Sequence, residues 1–209
     1  MTALQSIAYY QNRRDEVPNQ ELAKELATKK DRKGIREIAA NLWNENAQIQ
    51  SDCLKVLYEI GYLQPELIAP YTDDFLKLLH SRNNRLVWGA MIALGIVADL
   101  KAEVIYPHVA EIEQVMDRGS VITKDNGVKV LALVAAQSAA YNKQIFPYLL
   151  HHLETCRPKD VPQHAEKTVV AVTARNKQQF IAVLEKRLVD LKGSQAARVK
   201  KAITLVAER

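Results

Sequence analysis

The sequence predicts an all-α fold in which antiparallel helix pairs stack into a right-handed α-α superhelix. Leucines recur every 37 residues, at Leu57, Leu94 and Leu131, in similar apolar surroundings. A repeat of roughly 20–50 residues is the sequence sign of a stacked repeat architecture. The chain of 209 residues contains only seven glycines and seven prolines, and these are the residues that helix interiors tolerate least.

One helix of each predicted pair carries the repeating leucine. The three segments are Cys53–Ile60, Ala90–Val97 and Gly127–Val134, and each is apolar around much of its circumference. Helices of this kind are buried between their neighbours. We therefore expect the leucine-bearing helices to lie side by side in the stack.

A proline marks the start of the other helix in each pair. Pro70, Pro107 and Pro147 stand in the strings Ile-Ala-Pro-Tyr, Ile-Tyr-Pro-His and Ile-Phe-Pro-Tyr. Proline suits the first turn of a helix, where its missing N–H has no intrahelical partner. The pattern predicts helices that begin at these three prolines.

The two ends of the chain are more diverged. Residues 168–173 and 180–185 predict a fourth helix pair, and residues 195–207 predict a last helix. Residues 1–30 predict two capping helices joined near Val17–Asn19, because an open stack needs a cap over its apolar flank. We therefore expect a single domain, 1–209, with about five helix pairs in residues 31–209.

Two segments, Ile49–Gly61 and Asn83–Gly95, resemble the second helix of HEAT and related armadillo-like repeats. The resemblance covers about residues 30–209, and its motif is degenerate. It implies an α-solenoid architecture with an extended concave surface, which such solenoids commonly use for binding. It does not imply a particular partner.

The sequence shows no motif of a catalytic, phosphate-binding or metal-binding site. It has no glycine-rich phosphate loop, no nucleophile elbow and no Cys-x-x-Cys pair. His151 and His152 are adjacent, so on a helix they point about 100° apart and cannot readily share an ion. We expect no cofactor and no metal, and a surface or capping role for the five histidines, which are His80, His108, His151, His152 and His164.

The sequence also indicates a soluble, cytoplasmic protein with no membrane partner. Its longest apolar run, Ala90–Ala98, is far too short to cross a bilayer. The first residues lack the cationic start and the apolar run of a signal peptide. Cys53 and Cys156 lie far apart in apolar contexts, where free cysteines are commonly buried as small hydrophobic residues.

Polar residues near the starts of the leucine-bearing helices are expected to converge on the concave face. Trp88 is the main candidate, because an aromatic side chain at a polar helix opening can stack on a ligand or a partner. Two interpretations stay open: a binding groove, or a solvated face in which Asp125 and Asn126 cap helices. The candidate binding residues are Gln48, Gln50, Arg85, Trp88, Lys124, Asp125, Asn126, Lys129, His164, Glu166 and Lys167.

A second candidate surface is the basic C-terminal quarter, where residues 157–209 carry twelve basic and five acidic side chains. Such a patch could contact phosphates, with an affinity that falls steeply with salt. A solvated terminal cap would show the same pattern, and basic residues near a helix C-terminus also compensate the helix dipole. The residues of this patch are Arg187, Lys192, Arg198, Lys200 and Lys201.

These features favour a non-enzymatic binding or scaffold module that holds a protein partner on its concave helices. The alternative is nucleic-acid handling, since some bacterial DNA glycosylases that remove alkylated bases are HEAT-like solenoids with Asp, Trp and Arg in a basic groove. Trp88, Arg85 and Asp125 are similar to that set. Against it, residues 38–156 carry nine basic and thirteen acidic side chains, and an acidic surface repels DNA phosphates.

Overall fold

The computed structural model of the chain describes residues 2–208. Within them the regular structure consists of α-helices and short 3-10 turns, and no β-strand is present. The predicted all-α fold is therefore confirmed. The chain divides into two compact units, Met1–Asn126 and Gly127–Arg209. None of the described helices is both long and apolar enough to span a lipid bilayer.

The helices of the first unit are α1 (Val17–Lys29), α2 (Arg32–Ala40), α3 (Ala47–Leu63), α4 (Thr72–Leu78), α5 (Asn84–Val97), α6 (Ala102–Ile105) and α7 (Val109–Arg118). Helix α8 (Val121–Ala136) begins at the end of this unit. Helix α3 packs against both α1 and α5, and α4 packs against α5. Helices that contact only their near neighbours in the chain are typical of repeat proteins.

Side-chain caps set where three helices of the first unit begin. The Asp31 carboxylate accepts hydrogen bonds from the backbone N–H groups at the start of α2. The Asn46 amide oxygen does the same for α3, and the Asn83 amide oxygen for α5. Each cap satisfies N–H groups that have no partner within the helix. The two leucine-bearing helices of this unit, α3 and α5, therefore start from equivalent asparagines.

The core of the first unit depends on a close approach between α3 and α5. Leu57 on α3 and Leu94 on α5 are fully buried. Gly89 lets the two helices meet, because a Cβ atom at this position would lie 2.7 Å from Cδ2 of Leu54. That distance is shorter than real carbon atoms tolerate. A side chain at Gly89 would therefore force the buried Leu54 side chain of α3 to shift.

The second unit continues α8 and adds α9 (Ala139–Thr155), α10 (Val161–Thr168), α11 (Lys177–Arg187) and α12 (Gly193–Ala207). Helix α9 contacts both α10 and α11, and α12 also packs on both. The core of this unit includes the fully buried Leu131, Phe180 and Val199. Helix α12 matches the last helix that the apolar spacing predicts.

The proline rule holds at two of its three positions. Short 3-10 turns at Ala69–Tyr71 and Tyr106–His108 contain Pro70 and Pro107, and α4 and α7 follow directly. At the third position the prediction was wrong, because Pro147 lies inside α9. That helix begins at Ala139, where the Ser138 hydroxyl caps it. Pro147 has no N–H to donate to the backbone carbonyl one turn earlier in the helix. Because Pro147 is exposed, water can hydrogen-bond to that carbonyl instead.

Two other expected helices are absent from the described residues. Residues 2–16 hold one 3-10 turn, Leu4–Ser6, instead of a first capping helix, and α1 begins at Val17. Val169–Ala171 forms another 3-10 turn instead of a helix, after which the backbone extends at Val172. The run of valines there explains the result, because β-branched side chains lose rotamer freedom in a helix.

We predict that Leu94→Ala and Leu131→Ala each lower the free energy of unfolding by about 2–5 kcal/mol, through lost burial and the cavity left behind. Both leucines are 0% exposed. The matched control is Leu205→Ala, since Leu205 is 46% exposed and should change stability by about 0.5 kcal/mol or less. Chemical denaturation measures all three. Equal losses in all three variants would contradict the assigned core.

Candidate functional site

The first unit carries a groove along α3 and α5, closed on one side by the segment Tyr9–Glu16. Its main cavity has a volume of about 580 Å³ and is lined by residues of this segment, by polar side chains of α3 and by Arg85 of α5. We call it the α3–α5 groove. A small adjoining pocket adds Trp88. Gln48, Arg85 and Trp88 are among the residues predicted from the sequence, whereas Ser51, Asp52, Lys55 and the segment Tyr9–Glu16 were not predicted.

Helix α3 presents one polar face to the groove. Gln48, Ser51, Asp52 and Lys55 all line it, and their spacing of three and four residues places them on one side of a helix. Gln50 falls outside this spacing, is half-buried, and does not line the cavity. Of the two predicted glutamines, only Gln48 belongs to the groove.

Hydrogen bonds hold the N-terminal segment in place. The Asp52 carboxylate, which is buried, accepts from the Tyr9 backbone N–H at 2.9 Å and from the Gln48 side-chain amide at 3.0 Å. The buried Asn19 side chain accepts from the Ala8 N–H at 2.9 Å. The Asn46 side chain donates to the Tyr9 hydroxyl at 3.0 Å. The segment Tyr9–Glu16, which forms the wall of the groove, is therefore held in a defined position although it is not an α-helix.

Lys55 is already neutralised by its surroundings. Its Nζ atom lies 2.8 Å from a Glu16 carboxylate oxygen, 2.7 Å from one of Glu59 and 4.8 Å from the centre of the Tyr58 ring. Burial alone would lower the pKa of Lys55, but the two carboxylates outweigh it and raise that pKa. Burial also raises the pKa of Tyr58 to about 12. Lys55 is charged but is not available to a ligand.

Arg85 and Trp88 remain as the contact groups that the sequence indicated. The Arg85 side chain is exposed and lines the groove. Among the described residues it makes no ion pair, whereas Arg13 is paired with Asp15 at 2.9 Å. Trp88 lies one helical turn further along α5, is half-buried, and lines the adjoining pocket together with Arg85. A cation and an aromatic ring therefore stand next to each other.

The predicted residues of α8 occupy other places. Lys124, Asp125 and Asn126 are half-buried, and none of them lines the α3–α5 groove. The idea that Asp125 and Asn126 cap a helix is wrong, because α8 already begins at Val121. The Asn126 side chain instead donates to the Ile122 carbonyl of the preceding turn, at 2.9 Å.

Within the second unit, one of the predicted binding residues is buried. His164 is only 1% exposed, so its placement on a polar surface was wrong. Its Nδ1 atom lies 3.1 Å from Nε2 of His152, and Cys156 is close to both. The spacing of four residues between His152 and Cys156 was the available signal, but His164 lies on another helix. Lys129 and Lys167 are half-buried, and Glu166 is exposed.

Arg187 is a correction to the basic patch. It is 9% exposed, and its guanidinium donates to three backbone carbonyls at the end of α9. The acceptors are Leu153 and Glu154, each at 2.7 Å, and Cys156 at 2.9 Å. These carbonyls have no helical partner because the helix ends there. Arg187 thus joins α11 to α9 and offers no charge to a ligand.

The rest of the basic patch is exposed but partly compensated. Arg198 on α12 pairs with Glu166 on α10, with nitrogen–oxygen distances of 2.8 and 2.6 Å. The hydrogen bonds from Arg198 lower the pKa of Glu166 against a smaller opposing effect of burial. The other members, Lys192, Lys200 and Lys201, are exposed. This surface is less basic than the residue count suggests.

A second cavity, of about 610 Å³, lies in the second unit beside α9 and the start of α11. Two buried asparagines, Asn142 and Asn176, form its inner side and hydrogen-bond to each other at 2.9 Å. Asn142 also donates to the Ala171 carbonyl at 2.7 Å, and Asn176 accepts from the Thr173 N–H at 2.7 Å. These amides hold the extended segment between α10 and α11, so they serve the fold.

Comparisons with known proteins identify the fold. The structure is similar to an engineered protein solved by the Northeast Structural Genomics Consortium, with a TM-score of 0.70, 16% identity, and coverage of 100% of this chain and 98% of that one. It is also similar to a designed armadillo repeat protein in complex with the peptide (KR)4, with a TM-score of 0.65, 13% identity, and coverage of 96% and 98%. The chain has an armadillo/HEAT-like repeat fold.

A third similar structure belongs to computationally designed armadillo repeat proteins for modular peptide recognition, with a TM-score of 0.61, 14% identity and 97% coverage of both chains. No protein-family profile and no curated protein matches the sequence. The all-α solenoid and the repeat resemblance are thereby confirmed. At these identities the likeness concerns architecture, and the side chains of the groove are this protein's own.

We predict that Arg187→Met lowers the free energy of unfolding by about 2–4 kcal/mol, because three carbonyls at the end of α9 lose the charged donor of a buried side chain. The matched control is Lys186→Met, on the exposed neighbouring position of α11, with an expected change of about 0.5 kcal/mol or less. Urea denaturation compares the two. Similar stability of both variants would show that Arg187 is a surface residue after all.

We also predict a pH-dependent contribution from the ion pair between Glu166 and Arg198. The folded-state pKa of Glu166 is lowered, so the pair stabilises the fold above the unfolded pKa and is lost as the pH falls through the folded pKa. NMR titration should show the Glu166 pKa below that of exposed glutamates and should show it rise in Arg198→Gln. An unchanged Glu166 pKa in that variant would contradict the pairing.

Proposed function

We propose that the protein is a non-enzymatic binding module that holds an extended segment of a partner protein in the α3–α5 groove. One observation carries the proposal. Arg85 has an exposed guanidinium that makes no ion pair within the described part of the chain, whereas Lys55, on the neighbouring helix of the same groove, is held by two carboxylates. Trp88 stands beside it, and tryptophan and arginine are enriched among residues that dominate binding energy.

The chemistry of these two groups indicates the kind of segment. A guanidinium matches a carboxylate with two parallel hydrogen bonds, and an indole ring offers apolar contact area. A suitable segment therefore carries an acidic side chain next to an apolar one. The groove is held open before binding by the contacts of Asp52 and Asn46 to Tyr9. A pre-ordered site loses less conformational entropy on binding.

Two of the similar structures support peptide binding, since one is a complex with a peptide and the other was designed for modular peptide recognition. The peptide in the designed armadillo complex is (KR)4, which is basic. In the α3–α5 groove the exposed cations that make no ion pair with any described residue are Arg14 and Arg85, so the partner segment proposed here is acidic. The proposed preference for an acidic segment therefore rests on the side chains of this groove and not on the likeness to the designed protein.

The glycosylase alternative has less support. Asp125 does not line the groove that contains Arg85 and Trp88. The carboxylate that does lie there, Asp52, accepts hydrogen bonds from Tyr9 and Gln48 and thereby holds the segment Tyr9–Glu16 in place.

We further propose a cytoplasmic location, supported by the two free cysteines, Cys53 and Cys156, because cytosolic thiols are kept reduced.

Selection from a peptide-display library tests the proposal. We expect the selected peptides to share an acidic residue beside an apolar one. Arg85→Glu should weaken their binding by about tenfold or more, which corresponds to about 1.4 kcal/mol, and Trp88→Ala should weaken it as well. The matched control, Arg82→Glu, changes an exposed arginine outside the groove and should leave binding unchanged.

Three outcomes would count against this function. The first is a selection that yields no binder for the wild-type protein. The second is a loss with Arg82→Glu as large as that with Arg85→Glu. The third concerns stability: if Trp88→Ala melts like Leu94→Ala, Trp88 is a core residue and the groove loses its aromatic contact.

A further inference from the structure

Three metal-binding side chains meet in the second unit, away from the α3–α5 groove. His152, Cys156 and His164 each offer one donor atom, and these atoms lie within 4.8 Å of one another. His164 is buried, and the other two residues are half-buried. Imidazole nitrogen and cysteine sulfur are the ligands of structural and catalytic zinc sites.

The backbone brings these side chains together from two helices. His152 lies in the last turn of α9, and the Cys156 N–H donates to the His152 carbonyl at 2.8 Å, so the two side chains share one face. His164 comes from the middle of α10, after a short connection in which Arg157 pairs with Asp160 at 2.7 Å. The three donors are thus positioned by secondary structure.

Neighbouring groups hold the arrangement rigid. Arg187 donates to the Cys156 carbonyl at 2.9 Å and to two carbonyls of the preceding turn. The Tyr148 ring stacks on His152, with ring centres 6.3 Å apart and planes inclined by 16°. Metal sites commonly rely on such outer contacts to orient their ligands.

The distances suit a small tetrahedral ion. His152 Nε2 and His164 Nδ1 are 3.1 Å apart, and two nitrogens on a tetrahedral zinc ion are separated by about 3.3 Å. A sulfur and a nitrogen on the same ion are about 3.6 Å apart. The Cys156 sulfur lies within 4.8 Å of one ring nitrogen of each histidine, so it needs to approach by about 1.2 Å at most to reach that separation.

We propose that His152, Cys156 and His164 bind one zinc ion, with water as the fourth ligand. Zinc fits two imidazoles and one thiolate, whereas magnesium and calcium select oxygen ligands. The half-buried position of His152 and Cys156 leaves an open side for the water. Without metal, the two imidazoles hydrogen-bond to each other; with metal, the same atoms coordinate it, and the ion ties α9 to α10.

Cobalt titration of the chelator-treated, reduced protein tests the site, because a thiolate on tetrahedral Co²⁺ gives a charge-transfer absorption that a hydrogen-bonded histidine pair cannot give. We expect one Co²⁺ per chain, with this absorption, displaced by Zn²⁺. Cys156→Ser should abolish the absorption. His152→Ala should weaken binding by about tenfold or more, since removing even outer-shell partners of a metal site costs that much.

His151→Ala is the matched control, because His151 is the exposed neighbour on the same helix and should leave binding unchanged. Zn²⁺ should raise the Tm of the wild type and of this control, but not that of Cys156→Ser, since a ligand stabilises only the state that binds it. The proposal is overturned by the absence of the thiolate absorption, by its persistence in Cys156→Ser, or by equal losses in the His151 and His152 variants.

Discussion

Helix α3 is packed against both α1 and α5, and the rest of the first unit depends on this packing. Contact on two sides buries the apolar residues around Leu57 and leaves only one line of side chains, from Gln48 to Lys55, facing the cavity. Gly89 allows α5 to approach closely enough to complete that contact. The groove therefore results from the packing of the core: its floor is the part of α3 that α1 and α5 leave facing the cavity.

Much of this architecture could be predicted because its causes are local or periodic. The spacing of Leu57, Leu94 and Leu131 indicates buried helices, and asparagines stand before α3 and α5 as caps. Arg85 and Trp88 could be placed together on a candidate surface because both lie in the first turns of α5. These inferences need only the helical period and the chemistry of helix ends.

Two of the failures share a different cause, because they concern polar groups whose partners lie on another helix; a third, at Pro147, has a local cause. The sequence predicts Arg187 as a surface charge, but its guanidinium donates to carbonyls at the end of α9, more than thirty residues earlier in the chain. His164 meets His152 across two helices. Pro147 follows the motif of the other prolines, yet the Ser138 cap starts its helix earlier. A single sequence shows the residue but not the group that it contacts.

The wall of the α3–α5 groove is held by polar interactions, whereas its floor is held by the packing of buried apolar side chains. Beyond the buried Ile7 and Ala8, the segment Tyr9–Glu16 is exposed and is held by hydrogen bonds and by the Glu16–Lys55 ion pair. Segments with few buried apolar contacts open locally at a free energy below that of global unfolding. The contacts among α1, α3 and α5 do not pass through Tyr9–Glu16, so opening of this segment would remove one side of the cavity and leave those helix contacts in place. In amide hydrogen exchange the wall should lose protection well before the helices that it covers.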